Sequence, residues 1–179
     1  MSGLDRELRG WVVDHRLGVL NPLLEALSYA GSFGIIWLAI AVAISGFSWS
    51  RPWLWTRVAV AILISESISG LLKEWIGRDR PAVADPFPPT LVDLPVTYSF
   101  PSGHATVSFA CATTLALAVP RLTWPLFALA TLISFSRVYV GVHYPFDVVA
   151  GAALGVAIAI ALRRLAAALR RSAPPMQQG

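Results

Sequence analysis

The segment GVHYPFD places a histidine and an aspartate four residues apart, at His143 and Asp147. Pro145 lies between them and favours the first turn of a helix, so Asp147 follows His143 by one turn on about the same face. There the carboxylate can accept the proton of one ring nitrogen and leave the other nitrogen free to attack an electrophile. This spacing predicts a nucleophilic histidine oriented by a carboxylate. His104, at another expected helix start, could protonate a leaving group.

Positively charged residues accompany the two histidines and point to phosphate as the electrophile. Two helices are expected to begin beside them, at Ser102 and near Pro145, and a helix start presents unpaired N–H groups and the positive end of its dipole. A phosphoryl group, whose oxygens carry charge through the transition state, benefits from several fixed cations, whereas a carboxylate needs fewer donors. The expected phosphate-binding cations are Lys73, Arg80 and Arg137.

Each of these residues, taken alone, has a simpler structural explanation. A single histidine near a helix start is more often a hydrogen-bonded surface residue, and Lys73 or Arg137 could anchor a helix end at the membrane surface. Ser102 could act as an N-cap and nothing more, and Asp147 could merely compensate the dipole of its own helix. Their convergence at one face favours catalysis, because ionisable groups at membrane depth are costly unless they are paired or face a wet cavity.

The composition places these motifs in an integral membrane protein. The chain has 179 residues, of which 56% are hydrophobic and 13% charged, and its mean hydropathy is +0.64, which is too apolar for a soluble domain of this size. The net charge of +4 does not indicate nucleic-acid binding, because the basic residues lie at the ends of apolar segments and in the motifs. A transmembrane helix needs about 20 apolar residues. Five segments qualify, namely 24–47, 53–73, 102–119, 122–140 and 146–166.

These segments predict an all-α fold, a polytopic membrane helix bundle with about five transmembrane helices. Residues 4–20 alternate charged residues with Leu, Trp and Val at helical spacing, which predicts an amphipathic helix in the membrane interface rather than a further span. The chain accordingly divides into an N-terminal interfacial helix over 1–20, a transmembrane domain over 21–170 and a disordered tail over 171–179.

Alternating the five spans places all the polar motifs on one side of the membrane. The opposite side has few acidic residues and many arginines, so the positive-inside rule makes that side, with the C-terminus, cytoplasmic. The site is therefore expected on the extracytoplasmic face of the cell membrane, although basic residues near the motifs and in the N-terminal helix weaken the charge bias. The cytoplasmic arginines are Arg51, Arg121, Arg163, Arg164, Arg170 and Arg171.

Three motifs together resemble the signature of the type 2 phosphatidic acid phosphatases (PAP2), membrane lipid phosphatases related to the vanadium haloperoxidases. That signature is Lys, six residues, then Arg-Pro; Pro-Ser-Gly-His; and Ser-Arg, three residues, Gly, one residue, His, three residues, Asp. Residues 73–147 contain KEWIGRDRP, PSGH and SRVYVGVHYPFD, which match at every signature position.

The resemblance implies a metal-independent phosphatase without a cofactor, working through a phosphohistidine. His143 would be the nucleophile, Asp147 its partner, and His104 the acid for the leaving group. No metal site is expected, because the carboxylate and histidines of the motifs are committed to these roles. Glu66, about two turns before Lys73 on the same helix face, is not expected to act directly. The resemblance assigns phosphate binding to Lys73, Arg80, Ser102, the Gly103 backbone and Arg137.

The implied substrate is a lipid phosphate that enters sideways from the bilayer, because the motifs lie at the membrane edge and no soluble binding domain remains. A small member with an outward-facing site looks like an undecaprenyl diphosphate phosphatase; phosphatidylglycerophosphate and phosphatidic acid phosphatases are the alternatives. The motifs do not separate these substrates, since they contact the phosphate and not the tail. A non-catalytic transporter of anionic lipids is a more remote alternative, but it would not need the His143–Asp147 pair. No protein partner is identifiable.

Overall fold

Apolar runs separated by Pro and Gly form helices throughout the part of the chain that the computed structural model describes, residues 3–46 and 52–172. Three of these helices begin at a proline, whose fixed φ suits the first helical turn. No strand occurs among the described residues, which confirms the all-α prediction for them. The helices are α1 (Gly3–Asp14), α2 (Asn21–Ala30), α3 (Ile35–Ile44), α4 (Pro52–Ile76), α5 (Pro81–Ala84), α6 (Gly103–Ala118), α7 (Thr123–Tyr139) and α8 (Pro145–Ser172).

Three helical stretches are long and apolar enough to cross a membrane, Trp53–Ala84, Pro120–Tyr139 and Pro145–Ser172. The bent pair of α2 and α3 raises this number to four if the pair crosses as one span. Helix α6 has 16 residues, so its length of about 24 Å is less than the roughly 30 Å apolar core of a bilayer. The described residues therefore contain three to four candidate spans, where the sequence predicts five.

The first predicted span, 24–47, is not one straight helix. Helices α2 and α3 are bent by 60° at the short turn that joins them. In that turn Phe33 and Gly34 have φ of 55° and 69°, a left-handed conformation that interrupts a helix and that glycine adopts without strain. Gly31 lets the corner pack closely on the bundle, since a Cβ there would lie 2.4 Å from Ile133 Cγ2. Tertiary packing therefore breaks a segment whose hydropathy predicts a continuous helix.

Helix α6 is the centre of the bundle and packs against α4, α7 and α8. Two glycines allow the first turns of α8 to lie directly on α6. A Cβ on Gly151 would lie 2.6 Å from the Ser102 backbone oxygen, and a Cβ on Gly155 would lie 2.2 Å from the Thr106 backbone oxygen. This close contact holds the start of α8 beside the start of α6.

The N-terminal helix α1 turns a largely charged face toward the bundle. Asp5, Arg9 and Val13 share that face and are buried, whereas Leu4 and Trp11 are 54% and 64% exposed. The helix packs on α7 and α8. Periodicity predicts an amphipathic helix but not that two of its charged residues, Asp5 and Arg9, are buried against the bundle while Arg6 and Glu7 are exposed. Its placement in the membrane interface remains a prediction.

The last helix extends beyond its predicted end. Helix α8 continues to Ser172, so its final two residues fall within the stretch 171–179 that the sequence assigns to a disordered tail. Residues 173–179 lie outside the described residues, as do 47–51, which contain the end of the first predicted span and Arg51.

Candidate active site

Four helix ends meet at one end of the bundle and bring the predicted motifs together. The Ser102 backbone N–H donates to the Asp147 carbonyl oxygen at 3.0 Å, which joins the start of α6 to the start of α8. Arg80, which lies beyond the C-terminal end of α4, donates from Nη1 to the Val142 carbonyl oxygen at 3.0 Å. Val142 follows the end of α7. Segments that are separate in the sequence therefore form one site.

His143 and Asp147 form the predicted pair. The Nδ1 atom of His143 lies 3.3 Å from Oδ2 of Asp147, and both side chains are buried. The same Asp147 oxygen accepts hydrogen bonds from the Tyr144 backbone N–H at 2.9 Å and from the Ser99 hydroxyl. A carboxylate held in this way keeps the ring proton on Nδ1 and leaves Nε2 unprotonated.

The cations lie on the Nε2 side of His143. Arg80 Nη1 is 3.3 Å from Nε2, and the backbone oxygens of Thr97 and Tyr98 orient its guanidinium at 2.7 and 3.2 Å. Burial, followed by the charges of Arg80, Arg137 and Lys73, holds the pKa of His143 well below its ordinary value. The imidazole is therefore neutral near pH 7, which is the form that can act as a nucleophile.

Lys73 and Arg137 are buried cations with neutral partners. Lys73 Nζ donates to the Tyr98 backbone oxygen at 2.7 Å, and Arg137 Nη1 donates to the Ser28 hydroxyl. Arg137 Nε has no hydrogen-bond acceptor among the described residues. Exposures of 8% and 5% argue against the alternative that these two side chains reach out to anchor the membrane surface. Buried positive charge of this kind favours an anionic ligand.

Ser102 and Gly103 begin α6 as predicted, but the Ser102 side chain does not cap the helix. Ser102 occupies the N-cap position, yet its hydroxyl makes no capping hydrogen bond. This hydroxyl is buried and has no partner in the described part of the chain, so it is available to a ligand oxygen. A Cβ on Gly103 would lie 3.6 Å from Ser69 Oγ and 3.9 Å from Glu66 Oε2. Glu66 therefore lies beside the start of α6.

His104 faces the break between α2 and α3. Its Nε2 lies 3.1 Å from the Ser28 backbone oxygen and 3.4 Å from the Ser32 hydroxyl. Because Arg137 also contacts Ser28, this corner lies against both the predicted acid and one predicted cation. No sequence pattern marks either serine, and they lie 76 and 72 positions from His104.

Arg78, Ser99 and Asp5 also lie at the site, although none of them is a signature residue of the three motifs. The Ser99 hydroxyl and Arg78 Nη1 both donate to the carboxylate of Asp147, and Arg78 Nη2 donates to Asp5. Arg78 lies in KEWIGRDRP, two residues before Arg80, so its position inside a signature motif is a signal that could have found it. No motif contains Asp5, which lies in α1, far from every motif along the sequence.

Comparison with known proteins gives the same family by sequence and by structure. A family model described as the PAP2 superfamily matches residues 53–171. An undecaprenyl-diphosphatase of Sulfolobus acidocaldarius is 35% identical over 159 residues, covering 86% of this chain and 74% of that protein. A decaprenylphosphoryl-5-phosphoribose phosphatase of Mycobacterium tuberculosis is 35% identical over 139 residues, covering 75% and 73%. The crystal structure of a transmembrane PAP2-type phosphatidylglycerolphosphate phosphatase from Bacillus subtilis superposes with a TM-score of 0.75 at 26% identity, covering 95% of this chain and 88% of that chain.

Proposed function

The chain belongs to the PAP2 superfamily and is a membrane lipid phosphatase, and we propose that it hydrolyses a lipid diphosphate through a phosphohistidine at His143. The observation that carries this proposal is the contact of His143 Nδ1 with Asp147 Oδ2 at 3.3 Å, beside the Arg80 guanidinium. An oriented, neutral imidazole next to fixed cations suits attack on phosphorus. A site that only binds an anion would not require an oriented, neutral imidazole.

In the first step, the lone pair of His143 Nε2 forms a bond to phosphorus while the bond from phosphorus to the leaving oxygen breaks. The carboxylate of Asp147 stabilises the positive charge that develops on the ring. Lys73, Arg80 and Arg137 neutralise charge on the phosphoryl oxygens, assisted by the Ser102 hydroxyl and the Gly103 backbone. His104 acts in its protonated form, which the negative charge of the bound phosphate would stabilise, and it gives this proton to the leaving oxygen. The lipid then departs as a neutral hydroxyl or a protonated phosphate.

In the second step, water replaces the nitrogen on phosphorus. His104, which has lost its proton in the first step, accepts a proton from the water as the new oxygen–phosphorus bond forms. The phosphorus–nitrogen bond breaks, its electron pair returns to His143 Nε2, and inorganic phosphate is released. The site then has its starting distribution of protons.

We propose undecaprenyl diphosphate, entering from the bilayer, as the substrate. The names of the three similar proteins all describe phosphatases of lipid-linked phosphates, and the relative matched over 86% of this chain is an undecaprenyl-diphosphatase. An apolar groove of about 470 Å³ between α1, α7 and the start of α8 offers room for a hydrocarbon chain and reaches Pro145, two residues from His143. Phosphatidylglycerophosphate and phosphatidic acid are the alternative substrates. The groove residues include Leu8, Trp11, Phe135, Val138, Pro145 and Val149.

We propose that the reaction needs no metal ion. The positive charge that a divalent metal would supply comes from the cations beside His143. Both oxygens of Asp147 already accept hydrogen bonds from groups of the protein, so this carboxylate is poorly suited to bind Mg²⁺. Its donors are Arg78, Ser99, Tyr144 and His143.

We further propose that the bundle crosses the membrane five times, with α6 as a short central span and with α2 and α3 as one bent span. The site then faces the extracytoplasmic side. This orientation is supported by the opposite end of the bundle, where several arginines line a groove of about 800 Å³ and fit the cytoplasmic leaflet by the positive-inside rule. These arginines are Arg57, Arg163, Arg170 and Arg171.

Phosphate release from three lipids tests the proposed function directly. The purified protein in detergent is given undecaprenyl diphosphate, phosphatidylglycerophosphate or phosphatidic acid, and inorganic phosphate is measured. We expect the highest kcat/KM on undecaprenyl diphosphate, no loss in EDTA, and a fall in kcat of at least about a thousandfold for His143→Ala. His15→Ala is the matched control, because His15 is exposed and lies outside the motifs.

The possible outcomes separate the parts of this proposal. Release by His143→Ala at the wild-type rate would refute the nucleophile, and strong inhibition by EDTA would refute the metal-free reaction. Lipid binding without any phosphate release would favour a transporter. A higher kcat/KM on another lipid would change the substrate and leave the mechanism in place.

A further inference from the structure

Arg78 lies between two buried carboxylates, and one of them belongs to the catalytic pair. Its Nη1 donates to Asp147 Oδ1, and its Nη2 donates to Asp5 Oδ2. The guanidinium also stacks on Tyr144, with Cζ 4.2 Å from the ring centroid. Two charged hydrogen bonds and an aromatic face hold this group in one orientation.

The two oxygens of Asp147 have different partners. Oδ2 faces His143 Nδ1 and accepts from Ser99 and the Tyr144 backbone, whereas Oδ1 accepts from Arg78. Rotation of the carboxylate would misdirect the oxygen that orients the imidazole. Arg78 opposes this rotation, and its charge compensates a carboxylate that is fully buried.

Asp5 holds Arg78 from the other side. Its side chain is 1% exposed, and its second oxygen, Oδ1, accepts the Phe146 backbone N–H at 3.0 Å. That N–H belongs to the first turn of α8, where backbone donors lack partners within the helix. One carboxylate of α1 therefore joins Arg78 to the start of the helix that carries Asp147.

We propose that Arg78 is a positioning residue for the His143–Asp147 pair, and that Asp5 extends this support to the N-terminal helix. Carboxylates engage both terminal nitrogens of Arg78, so it acts through Asp147 rather than on the phosphate. The inference rests on the proposed function, since it concerns how His143 is aimed at phosphorus. It gives α1 a part in catalysis, because separation of α1 from the bundle would remove Asp5 and release Arg78.

Substitutions of Arg78 test whether it positions the His143–Asp147 pair. The kcat and KM of each variant are measured on undecaprenyl diphosphate. We expect Arg78→Gln to lose about 10- to 100-fold in kcat, the range known for groups that orient the ligands of metal sites, because Arg78 orients Asp147 in a comparable way. KM should stay within about threefold, because the cations that bind phosphate are unchanged. Arg78→Lys keeps a charge beside Asp147 but cannot bridge two carboxylates, so it should recover part of the loss. The thermal unfolding midpoint verifies that each variant is folded at the assay temperature.

Asp5→Asn tests the link to the N-terminal helix. We expect its kcat to fall by about threefold to tenfold, because an amide does not balance the charge of Arg78. Glu7→Gln is the matched control, since Glu7 is exposed on the same helix, and it should retain the wild-type kcat. Adding Asp5→Asn to Arg78→Gln should cause no further loss, because the amide oxygen can still accept the Phe146 backbone N–H and the charge of Asp5 acts through Arg78.

The results separate failure of this inference from failure of the proposed function. Wild-type protein that releases no phosphate would refute the function before any variant is compared. If the wild type is active and His143→Ala is not, a folded Arg78→Gln with the wild-type kcat, or with a loss confined to KM, would overturn the role of Arg78. A further loss in the double variant would overturn the role of Asp5. If Arg78→Gln does not fold, the same comparison is made with Arg78→Lys and Asp5→Asn.

Discussion

At the scale of single residues, the protonation state of His143 Nε2 determines whether the proposed attack on phosphorus can occur. Asp147 holds a proton on Nδ1, while burial and the neighbouring cations oppose a second proton on Nε2. Because burial and the cations dominate, the pKa of His143 falls well below its ordinary value. The lone pair of Nε2 is then available at a pH where an exposed histidine begins to be charged.

We expect His143 to remain neutral at about pH 6, below the ordinary histidine pKa of roughly 6.5. Ring ¹⁵N chemical shifts of histidine-labelled protein measure this, and the signal that is absent from His143→Ala identifies the residue. The unfolded chain takes up this proton near the ordinary pKa, whereas the folded chain does so only at lower pH. Lowering the pH below the ordinary histidine pKa therefore also reduces the free energy of unfolding. A charged His143 ring at pH 6 would contradict this assignment.

The spacing of residues a few positions apart predicts some contacts of the site but gives no information on contacts between distant segments. His143 and Asp147 meet because four residues make about one helical turn, and Ser102 and His104 both lie at the start of α6 because PSGH precedes an apolar run. Asp5 reaches α8 across 141 positions of sequence. No local rule sets the register between segments so far apart, so contacts of this kind appear only in the folded structure.

At the scale of secondary structure, apolar length predicts where helices occur but not where packing interrupts them. Helices α4, α7 and α8 contain most of the predicted spans 53–73, 122–140 and 146–166. The break after α2 depends on Gly31, where a Cβ would lie 2.4 Å from Ile133 Cγ2 and 3.1 Å from His104 Cδ2. Such a corner is set by neighbouring helices, and hydropathy along one segment does not contain that information.

The N-terminal helix shows the same limit of local patterns. The alternation of charged and apolar residues predicts a helix over the first part of the chain, and α1 is found there. The pattern cannot tell whether the charged face meets water or the protein. Asp5 and Arg9 are both buried. Asp5 pairs with Arg78, and Arg9 Nη1 lies 3.7 Å from the exposed Asp85.

At the scale of the whole molecule, the proposed catalytic site lies at one end of the bundle, and a second group of arginines lies at the other end. The catalytic end contains the starts of α6 and α8, and the other end contains arginines of α4 and α8. In the proposed orientation, lipid phosphates of the outer leaflet would reach the site sideways, and these arginines would face the anionic inner leaflet.

Cysteine labelling of intact cells tests this orientation. Cys111 is the single cysteine and is buried, so Cys111→Ala provides a background for Asp93→Cys, at an exposed position near the catalytic end. We expect a membrane-impermeant maleimide to label this variant from outside. Ser172→Cys, at the opposite end of α8, is the control and should react only after permeabilisation. Protection of Asp93→Cys in intact cells would place the site in the cytoplasm.

The central claim, that His143 attacks phosphorus, is tested most directly by trapping the covalent intermediate. Wild-type protein is mixed with undecaprenyl diphosphate labelled in its terminal phosphate, quenched in base during the first turnover, and digested for mass spectrometry. We predict a label that is stable in base and lost in acid, on the peptide that contains His143, and its absence from His143→Ala. Phosphate release by the wild type with no label on His143 at any time in the first turnover would contradict the mechanism.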